Sequence, residues 1–126
     1  MINGRMDEGY PIVEVALLLP DRPPLQIEFV IDTGFAGYLT MPPMAISALN
    51  LPFFYKMPAN LANDSNVVVD VHTTVINWHG ERREVEVMAI GRRPLIGRSL
   101  LKENEVCITF ADDGRISIRQ VHSASG

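Results

Sequence analysis

The sequence contains one cysteine, Cys107, among its 126 residues, and it has no long hydrophobic run. A single cysteine excludes an intramolecular disulfide, and the apolar residues on either side of it predict a small buried side chain rather than a reactive thiol. The longest apolar stretch, residues 15–19, is far too short to span a membrane. Asp7 and Glu8 precede any apolar run, which is unlike a secretory signal peptide. We therefore expect a cytoplasmic protein that does not associate with membranes.

Positive charge is also scarce, because 11 lysines and arginines oppose 15 aspartates and glutamates and leave a formal net charge of −4. This balance argues against a surface that binds nucleic acid or an anionic membrane. The arginine pairs at residues 82–83 and 92–93 are too small to reverse it, and we interpret them as solvated positions. Trp78 and the aromatic run at residues 53–55 are interpreted as core or interface residues rather than as a stacking platform for bases.

The patterns of several enzyme classes are missing. The histidines have no metal-ligand spacing with the cysteine or with one another, so we expect no metal site. No glycine-rich phosphate-binding loop is present. Ser65 and Ser99 have no adjacent base that the sequence identifies, which leaves a serine triad only a formal possibility. We predict no metal and no cofactor.

What the sequence does contain is a series of short β-like segments separated by turn-forming residues. At 47% hydrophobic residues, the chain fits one domain that can bury a core. Alternating and β-branched segments predict many short strands, and hence a β barrel or sandwich. We predict strands at residues 12–19, 25–31, 38–41, 67–78, 81–90, 106–110 and 115–119, with short helices at 44–49 and 98–102.

Turn signals divide these segments. Residues 63–66 are four turn formers in a row, and they predict a turn between two strands in the region 61–75. The domain is predicted to span residues 10–120. Residues 1–9 are expected to precede it as an N-terminal extension, and residues 121–126 to follow it as a disordered tail.

The most informative segment is Ile31-Asp32-Thr33-Gly34, directly behind the predicted strand 25–31. A carboxylate delivered by an apolar strand into a tight turn is poorly hydrated and rigidly oriented, which suits acid/base catalysis. Alone the motif is a weak signal, because aspartate and glycine also favour ordinary turns. It occurs once. Further along, Leu95-Ile96-Gly97 forms an apolar pair ending in glycine, just before the predicted helix 98–102.

This combination resembles the retropepsin-like aspartic proteases. Those proteins have an apolar-apolar-Asp-Thr/Ser-Gly loop, a flap hairpin, and a later apolar-apolar-Gly segment that leads into a helix. Residues 31–42 and 95–101 look most like the small bacterial members of clan AA, and the resemblance covers residues 10–120. It implies a mostly β fold, a closed retropepsin-like (acid protease) β-barrel with one or two short helices and one lobe per chain. It also implies aspartic endopeptidase activity on a peptide or protein substrate.

The resemblance further implies roles for the active-site loop. Asp32 would be the catalytic carboxylate, and the Thr33 hydroxyl would tie two such loops together across a dimer axis. Gly34 would let backbone approach the substrate closely. Ile96 and Gly97 would pack beneath the loop and support it, a role that hardly differs from ordinary core packing.

The turn formed by Asn63, Asp64 and Ser65 is the candidate flap tip. A flap would cover bound peptide, exclude water and bind the peptide backbone. An ordinary surface turn is the alternative. The segment also lacks the glycine-rich tip of the viral enzymes, so it would open less freely or close over a smaller substrate.

Two neighbours of the motif depart from the viral pattern. Phe35 stands where the retroviral enzymes have a small alanine, and its ring is expected to line and narrow the substrate pocket beside Asp32. Ala36 replaces the aspartate that pairs with the helix arginine. Arg98 matches that arginine and must find another acceptor or face solvent.

The single motif also predicts an assembly. Metal-free peptide hydrolysis needs a base for water and an acid for the leaving group, and two carboxyls sharing one proton supply both. We therefore predict a C2 homodimer with Asp32 and its symmetry mate at the axis. The alternative is a catalytically weak or silent dimeric module that kept the fold for peptide binding or assembly. Phe35 and the glycine-poor flap motivate that alternative.

Overall fold

The computed structural model describes residues 1–121, in which ten strands and two short helices form. The strands are β1 (Ile2–Asp7), β2 (Tyr10–Leu17), β3 (Leu25–Ile31), β4 (Leu39–Met41), β5 (Phe53–Asn60), β6 (Asn66–Trp78), β7 (Glu81–Ala89), β8 (Leu95–Ile96), β9 (Asn104–Ile108) and β10 (Arg115–Gln120). The helices are α1 (Pro43–Ala48) and α2 (Arg98–Leu101). Neither has the length and apolarity needed to cross a membrane. The expected disordered tail lies outside the described residues, apart from Val121.

All ten strands belong to one sheet, in the order β5-β6-β7-β4-β8-β3-β2-β1-β10-β9. The predicted mostly β class is confirmed. We expected a closed barrel, and the structure has one sheet that bends back on itself. The bend brings β2 against β6, where Leu17 pairs with Ile76. The Leu18 amide donates to the Val75 carbonyl at 2.8 Å in the same place. This fold-back encloses the core, in which Leu17, Phe29 and Ile76 are fully buried.

Strand β1 was not predicted, because we expected residues 1–9 to precede the domain. Its polar Asn-Gly-Arg sequence lacks the β-branched residues that mark a strand. Backbone pairing on both sides, with β2 and β10, holds it in the sheet. Gly4 permits the close fit, since a Cβ there would collide with the Ile12 carbonyl.

One predicted side-chain position differs from the structure. Cys107 is exposed and not buried, because it lies on the opposite face of β9 from the half-buried Val106 and Ile108. Of the aromatic residues predicted to lie in the core or at an interface, Trp78 is buried, and Phe53 and Phe54 are more than half exposed on the edge strand β5.

The β5–β6 hairpin projects beyond its neighbours. Strand β6 is 13 residues long, but β7 pairs with it only from Val71 onward. The segment from Asn66 to Asp70 therefore pairs with β5 alone, and the turn at residues 61–65 closes this two-stranded arm. The turn lies where the sequence predicted it, whereas β5 lies entirely before the region 61–75 in which we predicted both strands of the pair.

Candidate active site

Asp32 lies directly after β3, where its backbone and its carboxylate are both held. Its amide donates to the Ile96 carbonyl at 2.9 Å, because β8 runs parallel to β3 and pairs Ile31 with Ile96. The Gly34 amide donates to Asp32 Oδ1 at 2.9 Å. The side chain is partly exposed. The turn therefore aims a solvent-accessible carboxylate from a fixed backbone position.

The segment after β8 supports the loop that follows the motif. Each carbonyl from Phe35 to Tyr38 accepts one hydrogen bond from this segment. The bonds are Arg98 N to Phe35 O (2.8 Å), Ser99 Oγ to Ala36 O (2.6 Å), Ser99 N to Gly37 O (3.1 Å) and Gly97 N to Tyr38 O (2.9 Å). Two stretches that are distant in sequence thus form one rigid unit around the Asp32 turn.

Gly97 is required by close packing in this unit. It is buried, and a Cβ at this position would collide with the Gly37 carbonyl and with the ring of Phe35. Ile96, the residue before it, is completely buried between β3 and β4. The structure therefore brings together Asp32, Ile96 and Gly97, as the sequence analysis expected.

Phe35 has a structural partner that the sequence analysis did not identify. Its half-buried ring lies against Gly37 and Gly97, and it comes within 2.6 Å of the position that a Gly37 Cβ would take. The ring fills the space that these two glycines leave. The sequence feature that could have revealed this contact is the presence of glycine at both position 37 and position 97, because glycine leaves space for a neighbouring side chain.

A cavity of about 370 Å³ opens next to this loop. It is lined by Phe35, Ala36, Gly37, Tyr38, Leu39, Tyr55, Met57, Val71, Glu86, Met88 and Ser99. Phe35 is thus part of a cavity wall, but Asp32 and the turn at residues 63–65 do not line this cavity. Sequence reasoning missed Tyr55 and Glu86, which no local motif marks.

The candidate flap turn is held by its own side chains. Asn63 Oδ1 accepts from the Ser65 amide at 3.1 Å and from the Ser65 hydroxyl at 2.6 Å. Asp64 has a positive φ of 63°, which aspartate tolerates better than most residues. The three residues are exposed at the tip of the β5–β6 arm. This tip needs no glycine, because Asn63 and Asp64 supply the turn chemistry.

Thr33 and Arg98 are both exposed. Among the ion pairs of residues 1–121, none includes Arg98, so this side chain faces solvent as one of the two expected alternatives. In the same part of the chain, no group of three histidine, cysteine, aspartate or glutamate side chains could hold a metal ion.

Removing the Ser99 hydroxyl tests the loop support. Ser99→Ala is expected to lower the free energy of unfolding by about 0.5–1.5 kcal/mol, since it deletes the bond to the Ala36 carbonyl. Urea denaturation measures the change. Ser47→Ala, on the exposed part of α1, should stay within about 0.5 kcal/mol of the parent. Equal losses in both variants would contradict this support role.

The chain matches no protein-family model, and no curated protein matches it.

Proposed function

We propose that this protein is an aspartic endopeptidase, active as a C2 homodimer in which two Asp32 carboxyls activate a water molecule. One observation carries the proposal. The Asp32 turn at the end of β3 is held by the Ile96 carbonyl of the parallel strand β8, and the residues after β8 donate to each carbonyl from Phe35 to Tyr38. These hydrogen bonds fix the backbone that positions a partly exposed carboxylate.

The chemistry follows from a shared proton. In the dimer, one ionised carboxylate takes a proton from water as the water attacks the peptide carbonyl carbon. The protonated carboxyl donates to the carbonyl oxygen, and a proton then passes to the leaving nitrogen as the C–N bond breaks. One carboxylate per chain can supply only one of these roles at a time, which is why the proposal includes a second copy.

Other features support a retropepsin-like lobe. The contact between β2 and β6 bends the sheet toward the closed barrel that such a lobe requires. In the β5–β6 arm, residues 66–70 of β6 pair with β5 alone, and this projecting arm serves as the flap in the proposal. A flap of this kind excludes water from the reacting peptide.

A peptide-library digestion tests the proposal. The protein is incubated with a diverse peptide mixture across acidic to neutral pH, and the products are identified by mass spectrometry. A shared-proton pair predicts a bell-shaped rate profile on the acidic side. It also predicts inhibition by a statine-type transition-state analogue. An untouched library, together with no thermal shift from the analogue, would reject the endopeptidase function.

The second candidate is a dimeric peptide-binding or assembly module without catalysis. The observation that favours it is the flap turn, which Asn63 and Ser65 fasten together without any glycine. Such a tip would close less readily over a substrate. Saturable peptide binding by a protein that leaves the same peptides uncut would select this candidate.

A further inference from the structure

Strand register places a set of side chains on one face of the sheet. Tyr55 pairs with Val71 across β5 and β6, and Val71 pairs with Met88 across β6 and β7. These three residues form a row. Met57 and Glu86 lie two positions along their own strands from that row, so they share its face. All five line the cavity beside the Asp32 loop.

Most of the remaining lining of this cavity is apolar, with Ser99 as a polar exception. Phe35, Tyr38 and Leu39 close it on the side of the loop, and the cavity is open to solvent. Within residues 1–121, Glu86 is the only charged residue that lines it. A long apolar side chain therefore finds contacts along the walls, and one carboxylate in the lining is available to a charged group on that side chain.

Glu86 lies beside Tyr55 in this cavity. The pKa of Tyr55 is raised above its ordinary value, chiefly because its hydroxyl interacts with the Glu86 carboxylate. Partial desolvation and the negative charge of Glu86 act in the same direction. A carboxylate can accept several hydrogen bonds, so this contact leaves acceptor capacity for a ligand.

The basic residues nearby do not neutralise Glu86 in the structure. The Lys56 ammonium, next to Tyr55, pairs with Asp70 at 2.6 Å. The Arg83 guanidinium lies over the ring of Tyr38 at 5.6 Å, and Arg83 does not line the cavity. A cationic group of a ligand would therefore complement the negative charge that Glu86 brings to the cavity.

We propose that this cavity is a side-chain pocket that selects a lysine or arginine of a bound peptide, with Glu86 as the specificity-determining residue. The aliphatic stem packs against Phe35, Met57 and Met88, and the cation pairs with the Glu86 carboxylate. The inference rests on the proposed function only in taking a peptide as the ligand. It does not need the peptide to be cut.

The test uses the Asp32→Asn protein of all 126 residues, so that the carboxylate of the proposed catalytic site no longer attracts a cation. Short peptides carry lysine or norleucine at one position at a time, and their affinities are measured by isothermal titration calorimetry. Norleucine keeps the apolar stem and lacks the charge. At one position, lysine is expected to bind about 10-fold more tightly, as a charge-assisted hydrogen bond predicts.

Matched variants locate the effect. In the Asp32→Asn background, Glu86→Gln is expected to abolish the lysine preference, whereas Glu84→Gln, an exposed carboxylate of the same strand outside the cavity, should preserve it. Glu86→Gln should also lower the pKa of Tyr55 toward its ordinary value, since its largest perturbing contact is lost. An ultraviolet pH titration, with Tyr10 and Tyr38 changed to phenylalanine, reads this contact without any ligand.

The outcomes separate this inference from the proposed function. Equal affinity for lysine and norleucine at every position, a preference that survives Glu86→Gln, or no peptide binding at all would overturn the pocket assignment. A lysine preference that depends on Glu86, in a wild-type protein that cuts no peptide, would support the pocket and reject the protease. Wild-type cleavage without any preference for basic side chains would support the protease and reject the pocket.

Discussion

Replacing Asp32 by asparagine is expected to reduce peptide cleavage by at least about 10²–10⁴-fold, because the general base and the general acid are both lost from the pair. The fold should survive, since the asparagine side-chain oxygen can still accept from the Gly34 amide as Asp32 Oδ1 does. Initial rates on a peptide identified by library digestion measure the loss. Circular dichroism and a thermal melt check that the variant is folded. Undiminished cleavage by the folded variant would remove Asp32 from the mechanism.

Mixing the two proteins tests whether the site is shared between copies. Wild-type and Asp32→Asn chains are unfolded together in equal amounts and refolded, so that the dimers form at random. If each site needs two Asp32 carboxyls, activity per total chain should fall to about one quarter of the pure wild type, because only wild-type pairs are competent. A site complete within one chain would retain about half. Light scattering on the same samples reports the association state.

Gly97→Ala is expected to lower the free energy of unfolding by about 1–3 kcal/mol through overpacking. The added Cβ would collide with the Gly37 carbonyl and the Phe35 ring, and the loop must shift to make room. That shift moves the backbone that positions Asp32, so the rate of cleavage should fall together with the free energy of unfolding. Urea denaturation gives the stability, and cleavage rates under fully folding conditions give the functional cost.

The control for this variant is Gly80→Ala. Gly80 has a positive φ of 84° but no heavy atom near the added Cβ, so its cost is backbone strain alone, about 1 kcal/mol. Gly80 is exposed in the turn between β6 and β7. Its variant should cleave peptide at the wild-type rate while folded. A Gly97→Ala protein with unchanged stability and rate would show that the packing of this segment is not needed.

Local sequence patterns predicted those elements of the fold that depend on residues close together in the chain. The alternation through residues 25–31 predicted β3, and the run of turn formers at residues 63–66 predicted the tip of the long hairpin. The Asp32 motif and the Ile96-Gly97 segment were each visible as short strings. The structure then placed them against each other, with the Asp32 amide bonded to the Ile96 carbonyl.

Other features had no local signal. Strand β1 is held by backbone pairing with β2 and β10, and its polar residues conceal that pairing in the sequence. Cys107 was assigned to the wrong face, because an apolar run does not reveal which residue of a strand points inward. The packing of the Phe35 ring against Gly37 and Gly97 was not predicted, because Gly97 is about sixty residues away in the sequence.

By itself, the sequence determined that this chain is mostly β and that one carboxylate sits in a tight turn behind a strand, because period-two alternation and turn chemistry act over a few residues. Only the tertiary structure decided what surrounds that carboxylate. The loop support comes from the segment after β8, and Tyr55 meets Glu86 through the register of three strands. Contacts of this kind depend on which strands become neighbours, and that is settled by packing of the whole chain.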